Sequence, residues 1–203
     1  MQTAGPPPAN SSHKIVTSKR RPVLKHSENQ KLSMIGIFAE VYLVDGMIIR
    51  KAPRSQSEIL GKHPRIAECL SLERQDYVDI QYYPSDDLAS HLQTNKITPG
   101  LRSKWLQQII EAVVVIHSHQ LIHSDLAIRQ FFVDDDMNVR LGDFNSSQDP
   151  GHPALGYEKA SHCLPRDYDM PNTVLSDIFA LGSTLYELVT GFIPYHELYP
   201  VDT

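Results

Sequence analysis

His123, Asp125 and Asp143 are the residues of this 203-residue chain whose types and spacing could do chemistry. The first two stand in "IHSDLAIRQFF", residues 122–132, and the third in "NVRLGDFNSS", residues 138–147. Between them, "FFVDDDMNVRLG" reads as a strand, an acidic turn and a second strand. A hairpin of that size brings its two ends together, so Asp125 and Asp143 are expected at one cleft edge. Paired carboxylates at hairpin ends can hold Mg²⁺ and orient a nucleophile for phosphoryl transfer. The alternative is two surface carboxylates beside turns, because an H-x-D triplet and a DF pair are each common alone. Order and spacing carry the weight: His123 and Asp125 precede Asp143 by 20 and 18 residues.

Such a pair needs elements to hold it. "SKWLQQIIEAVVVIHSHQ" predicts a helix with Ser103 as N-cap, since Leu106, Ile109, Ile110, Val113 and Ile116 follow helical spacing. "TVLSDIFALGSTLYELVTG" predicts an apolar helix closed by Gly191. The loop at 146–172, rich in Gly, Pro and His, lies between the second acidic fragment and that helix. Upstream, β-type runs over Phe38–Val44 and Met47–Lys51 are joined by "DG", a strong hairpin signal. "SQSEILGKHPRIAE" has room for about two helical turns. "YVDIQYYP" predicts another strand, and "DDLASHLQ" starts a helix with an acidic first turn. A small β-rich half followed by a larger helical half is an α+β pattern.

Composition narrows the function classes. A net charge of −5 and a pI near 6.0 leave no global nucleic-acid footprint. No apolar run approaches the ~20 residues that span a bilayer, and the start "MQTAGPPPANSSHK" lacks the apolar centre of a signal peptide. Cys69 and Cys163 are the two cysteines, with no C-x-x-C pair to suggest zinc. Residues 1–30, rich in Pro, Ser and Lys, read as a flexible tail. The expectation is a soluble, cytoplasmic protein, with "KRR" as a weak nuclear address.

In order and spacing these fragments resemble the eukaryotic protein kinase family, and in particular divergent, fungal-type kinase-like domains. "HSDLAIRQ" is similar to the catalytic loop H-R-D-L-x-x-x-N, "DFN" to D-F-G, and "SDIFALGSTLYEL" to the helix after the activation segment. "MIGIFAEV" stands where the Gly-rich phosphate loop belongs, and "IIRK" where V-A-I-K belongs. The resemblance runs from about Ser33 to Tyr199. It implies a two-lobed fold over residues 31–203, with a β-rich N-lobe at about 31–83 and a helical C-lobe at about 84–203. It implies ATP and Mg²⁺ as cofactors and a protein as substrate or partner.

The resemblance also implies roles. Asp125 would be the catalytic base, with Arg129 supplying a nearby positive charge. Asp143 would hold Mg²⁺, with Gln130 at the second metal-binding position. Lys51 would contact the α and β phosphates. Gly36 and Val41 would cover the nucleotide, with Ile49 beside the adenine. Ile80, Gln81, Tyr82 and Tyr83 would form the hinge that offers backbone groups to the adenine edge. His123 and Asp177 would brace the catalytic loop.

The departures from the family pattern matter as much. Only Gly36 of the three loop glycines stands, with Met34 and Ala39 in the other places. Ser124 replaces the Arg of H-R-D, Gln130 the Asn, and Asn145 the Gly of D-F-G. Arg166 stands where a buried Glu is expected. Eleven residues separate Lys51 from His63, where the family places a full helix carrying a Glu partner for the lysine; Glu58 is the acidic candidate. The last C-lobe helices are expected to be missing, which would leave Leu181, Leu185, Leu188 and Val189 exposed. Three functions fit: a protein kinase, a pseudokinase that binds nucleotide or protein, and a small-molecule phosphotransferase. The "SDIFALG" helix argues against the third.

Overall fold

The computed structural model describes residues 30–35, 40–44, 47–51, 60–70, 78–167 and 169–198. Four strands form an antiparallel sheet in chain order: β1 Gln30–Ile35, β2 Glu40–Val44, β3 Ile48–Lys51 and β4 Val78–Gln81. The "DG" dipeptide between β2 and β3 lies outside the described residues; Met47 N–H donates to Val44 O. β1 was not foreseen; it pairs with β2 through an irregularity between Leu32 and Met34 that breaks strict alternation. Gly36 and Glu58 lie outside the described residues; of the segment 55–68 expected to hold about two helical turns, 55–59 lie outside them too, and residues 61–68 are not helical.

The segment "HPRIAECL" stitches this sheet to the second one. On one side Gln81 N–H donates to Glu68 O, and Leu70 N–H to Asp79 O. On the other, Ala67 N–H donates to Leu141 O and Leu141 N–H to Arg65 O. The second sheet is the predicted hairpin, β5 Phe131–Val133 paired with β6 Val139–Leu141. Gly142 follows β6 where space is shortest. A Cβ there would lie 2.6 Å from the Phe132 ring and 3.2 Å from Ala67 Cβ.

The helices that lie wholly within the described residues are α1 Leu88–Thr94, α2 Pro99–Ser118 and α3 Val174–Thr190. Asp87 caps α1 by accepting from Ala89 and Ser90 N–H. The start of α2 corrects the sequence reading. Thr98, not Ser103, is the N-cap, and Pro99 takes the first turn, where its missing N–H costs nothing. α3 carries a capping box at Thr173 and ends at Gly191, whose φ of 78° needs a residue without a Cβ.

The core lies between α2, α3 and the hairpin. Trp105, Ile109 and Ile116 of α2 are fully buried against Leu126, Phe131 and Leu141. Trp105 Nε1 donates to Met137 O at 2.9 Å. Buried Gln108 donates to Asn138 Oδ1 and accepts from Val139 N–H, which fixes the hairpin on the helix. α3 is oriented differently from the expectation. Leu188 is buried and Leu181 and Leu185 pack on the core, while Leu175, Ile178, Tyr186 and Val189 face solvent.

Replacing Trp105 with Ala should cost about 3–5 kcal/mol of stability in urea denaturation, from the cavity and the orphaned carbonyl. Ile110→Ala, at a position 43 % exposed on the same helix, should stay within about 0.5 kcal/mol.

Candidate active site

The loop between α2 and β5 is shaped by one carboxylate from α3. Asp177 is fully buried in the first turn of that helix. Its Oδ2 accepts from His123 N–H at 2.8 Å, and its Oδ1 from Ser124 N–H at 3.0 Å. His117 Nε2, at 3.0 Å, is a third donor. Ser124 has φ of 67°, a left-handed conformation that a non-glycine residue holds only when its surroundings enforce it. The two backbone bonds to Asp177 do the enforcing.

His123 carries the constraint onward. Its ring is buried and its Nε2 lies 2.9 Å from Gly142 O. A carbonyl can only accept, so Nε2 bears the proton. Gly142 N–H in turn donates to Gln130 O at 2.8 Å. The two acidic fragments are thereby tied together one residue before Asp143. Asp143 is half-buried and left-handed, with φ of 55° and ψ of 56°, and it opens the 3-10 turn Phe144–Ser146. After it the chain stays on the loop that carries His123 and Asp125. Ile122 and Gln148 exchange both backbone hydrogen bonds, and Ser147 Oγ donates to His123 O.

Asp125, Arg129 and Gln130 form one cluster, with the 3-10 turn Ile128–Gln130 bringing the latter two back towards the carboxylate. Arg129 Nη2 donates to both Asp125 oxygens, at 2.6 and 2.7 Å. Gln130 Nε2 donates to Asp125 Oδ2 at 2.8 Å and to its backbone O at 3.1 Å. Oδ2 therefore accepts two bonds and Oδ1 one. A carboxylate oxygen has two lone pairs, so Oδ1 keeps one acceptor position for a hydroxyl. No three His, Cys, Asp or Glu side chains converge as a metal cage among the described residues. Asp143 and Gln130 each carry side-chain oxygen, the donor type a hard cation such as Mg²⁺ takes.

Of the residues expected beside a nucleotide, Val41, Ile49, Lys51, Ile80 and Gln81 lie in the four-stranded sheet. Lys51 ends β3, in register with Val41 and Val78. Ile49 is half-buried beside Ile80 in the ladder. Gln81 and Tyr82 are half-buried, and Gln81 Nε2 donates to Tyr82 O. Tyr83 is buried and structural: its hydroxyl accepts from Glu68 N–H and its ring stacks on Phe132 at 5.7 Å. Burial pushes its phenol above the usual range.

Sequence reasoning missed the anchoring of the long loop. Arg166 Nη2 donates to Glu158 Oε2 at 3.0 Å and also to Asn172 Oδ1. Glu158 has a fully buried side chain. The charge at position 166 is opposite to the family's, and Glu158 is the local acid that answers it. His162 is buried 3.6 Å from Glu187 of α3. Burial, then the positive charges of Arg129 and Lys159, lowers its imidazole to about 4, while burial raises the Glu187 carboxyl. No periodicity marks Glu158 or Asn172. His117 sits on the flank of the buried stripe of α2, a signal that was available.

Residues 56–200 match the family model for the protein kinase domain. The chain is 27 % identical over 187 residues to CBL-interacting protein kinase 5 of Oryza sativa, covering 84 % of this chain and 40 % of that protein. It is 29 % identical over 148 residues to serine/threonine-protein kinase SIK2 of Gallus gallus, covering 67 % and 18 %. To serine/threonine-protein kinase PrkC of Bacillus subtilis it is 27 % identical, covering 76 % and 26 %. The chain belongs to the protein kinase family. It spans less than half the length of each of these relatives.

Asp177→Ala leaves two buried backbone N–H groups and His117 without their acceptor, so it should cost about 3–5 kcal/mol in urea denaturation. The His162 pH effect has a definite sign. Its folded value lies below the ordinary 6.5, so the unfolded chain binds the proton first. Stability is complete above pH 6.5 and falls as pH drops towards 4, by on the order of 2–3 kcal/mol. Glu187, shifted the other way, offsets part of this at the acid end. The melting temperature of His162→Gln should depend less on pH between 7 and 5 than that of the parent; equal slopes would refute the assignment.

Proposed function

We propose that this chain is a protein kinase domain that transfers a phosphoryl group from Mg-ATP to a protein hydroxyl. The observation that supports this best is the state of Asp125. Its carboxylate is aimed by Arg129 and Gln130 and keeps one acceptor position on Oδ1. A substrate hydroxyl that donates to Oδ1 is oriented for in-line attack and hands its proton to the same oxygen. Phosphoryl transfer is mostly positioning and electrostatics, so a fixed acceptor is the contribution required of the protein.

Asp143 and Gln130 would hold Mg²⁺, which would supply charge neutralisation at the phosphates. The left-handed backbone at Asp143 and the tie through Gly142 fix where that carboxylate stands. Lys51 would meet the α and β phosphates, and the backbone from Ile80 to Tyr83 the adenine edge.

A second reading is favoured by the same cluster. Gln130 gives its amide nitrogen to Asp125, which restricts how its Oε1 meets a cation, and Mg²⁺ tolerates little departure from octahedral geometry. A pseudokinase that binds nucleotide with little transfer fits that restriction.

Protein incubated with Mg-ATP should label itself or a generic protein substrate, and Asp125→Asn should lower the rate about 10²–10⁴-fold. Labelling that survives Asp125→Asn would refute the role of that residue. Mg-ATP at a hundred times its Kd should add about 2.7 kcal/mol of stability. That gain should depend on Mg²⁺ and vanish in Asp143→Asn. Stabilisation without labelling selects the pseudokinase, and no shift at millimolar Mg-ATP removes both readings.

A further inference from the structure

Phosphoryl transfer needs positive charge where the transferred group passes, and the loop that carries Asp125 has none to spare. Leu126, Ala127 and Ile128 follow Asp125 and are buried and apolar. Arg129 sets Nη2 on both Asp125 oxygens, so its charge is answered there. Lys51 would be occupied with the α and β phosphates. The neighbouring wall is formed by His162 and Glu187, 3.6 Å apart. Burial lowers that imidazole to about 4, so at neutral pH it carries no charge.

We propose that Lys159 is a further catalytic residue, whose ammonium meets a non-bridging oxygen of the phosphoryl group in transit. The inference rests on the reading of the chain as a kinase. Lys159 is held at this wall by its backbone, since its carbonyl accepts from His162 N–H at 2.8 Å. Its charge acts on both His162 and Glu187, as does that of Arg129, so Lys159 stands near the group that grips Asp125. The residue is exposed, and among the described residues its ammonium makes no hydrogen bond or ion pair. From residue 60 onward every described arginine, with Lys62 and Lys104, is bonded to a carboxylate or a backbone carbonyl. Lys96, the other lysine left over there, lies in the connection from α1 to α2. Lys159 is therefore the cation beside Asp125 that is still available.

In the transfer, the substrate hydroxyl oxygen forms its bond to the γ-phosphorus. The bond from that phosphorus to the β–γ bridging oxygen breaks, and ADP leaves with the electron pair. The hydroxyl proton goes to Asp125 Oδ1. Lys159 keeps its protons and donates to an oxygen that shares the spread negative charge of the transition state. A lysine suits this task. Its compact charge on a flexible four-carbon stem can follow the group as it moves, whereas the planar fork of Arg129 is fixed on a carboxylate.

Lys159→Met should lower kcat about 10²–10³-fold with the KM for ATP little changed, and Lys159→Arg should recover part of the rate. The melting temperature should not move, because the side chain is exposed. Lys96→Met is the control and should label like the parent. A second readout needs no turnover. Aluminium fluoride added to Mg-ADP mimics the phosphoryl group in transit and should tighten nucleotide binding to the parent. Lys159→Met should reduce that gain at least ~10-fold, while its affinity for Mg-ADP alone stays as in the parent. Equal labelling and equal fluoride gain in the parent and Lys159→Met would overturn the inference and leave the kinase reading standing. So would a raised KM for the protein substrate with kcat and the fluoride gain unchanged, which would assign Lys159 to substrate binding. A parent that neither labels nor gains from fluoride would remove the kinase reading and this inference with it.

Discussion

The carboxylate of Asp177 is the interaction on which the site depends. A fully buried charge is tolerated only when its lone pairs are satisfied, and here two backbone N–H groups and one imidazole satisfy them. The exchange is mutual. Asp177 is held in an apolar setting by its donors, and the loop is held in an otherwise unfavourable left-handed turn at Ser124 by its acceptor. From that turn Asp125 projects at a fixed angle. Through His123 and Gly142 the same constraint reaches Asp143, so one α3 residue sets the positions of both acidic groups.

Departures from the family pattern come with local partners. Gln130, longer by one methylene than the expected Asn, reaches back to Asp125 and adds a donor to its carboxylate. Arg166 meets a buried Glu158 and Asn172 within the same loop. These pairs satisfy Arg166 Nη2 and Glu158 Oε2, while Arg166 Nε and Glu158 Oε1 stay buried without a hydrogen-bond partner. The long loop is thereby anchored at both ends: by Ser147 and Gln148 on the catalytic loop, and by Arg166 near the start of α3.

α3 serves both the loop and the core. Asp177 on its inward side holds the loop, Ala180 and Leu188 on the same side join the core, and Leu175, Ile178, Tyr186 and Val189 face outward. Gly142 plays a similar double part on the hairpin, where the absence of a side chain lets the "HPRIAECL" segment close on β6 and fixes the residue before Asp143.

By itself the sequence determined the elements whose signals are local. The hairpin around the acidic turn, the period of α2, the capping of α3 at Gly191, and the order of the His123, Asp125 and Asp143 fragments were all legible, because backbone period and turn chemistry depend on neighbours in the chain. The start of α2 was read five residues late, since Ser103 and Thr98 are both competent caps and only Pro99 decides between them. β1 was missed because its irregularity breaks the alternation that marks a strand. The tertiary structure alone decided that Glu158 answers Arg166, that Asp125 is gripped by Arg129 and Gln130, and which side of α3 faces out. A helix apolar on nearly all sides has no periodic preference for one face, so the choice fell to Asp177, whose buried charge turns towards the N–H groups of His123 and Ser124 and towards His117.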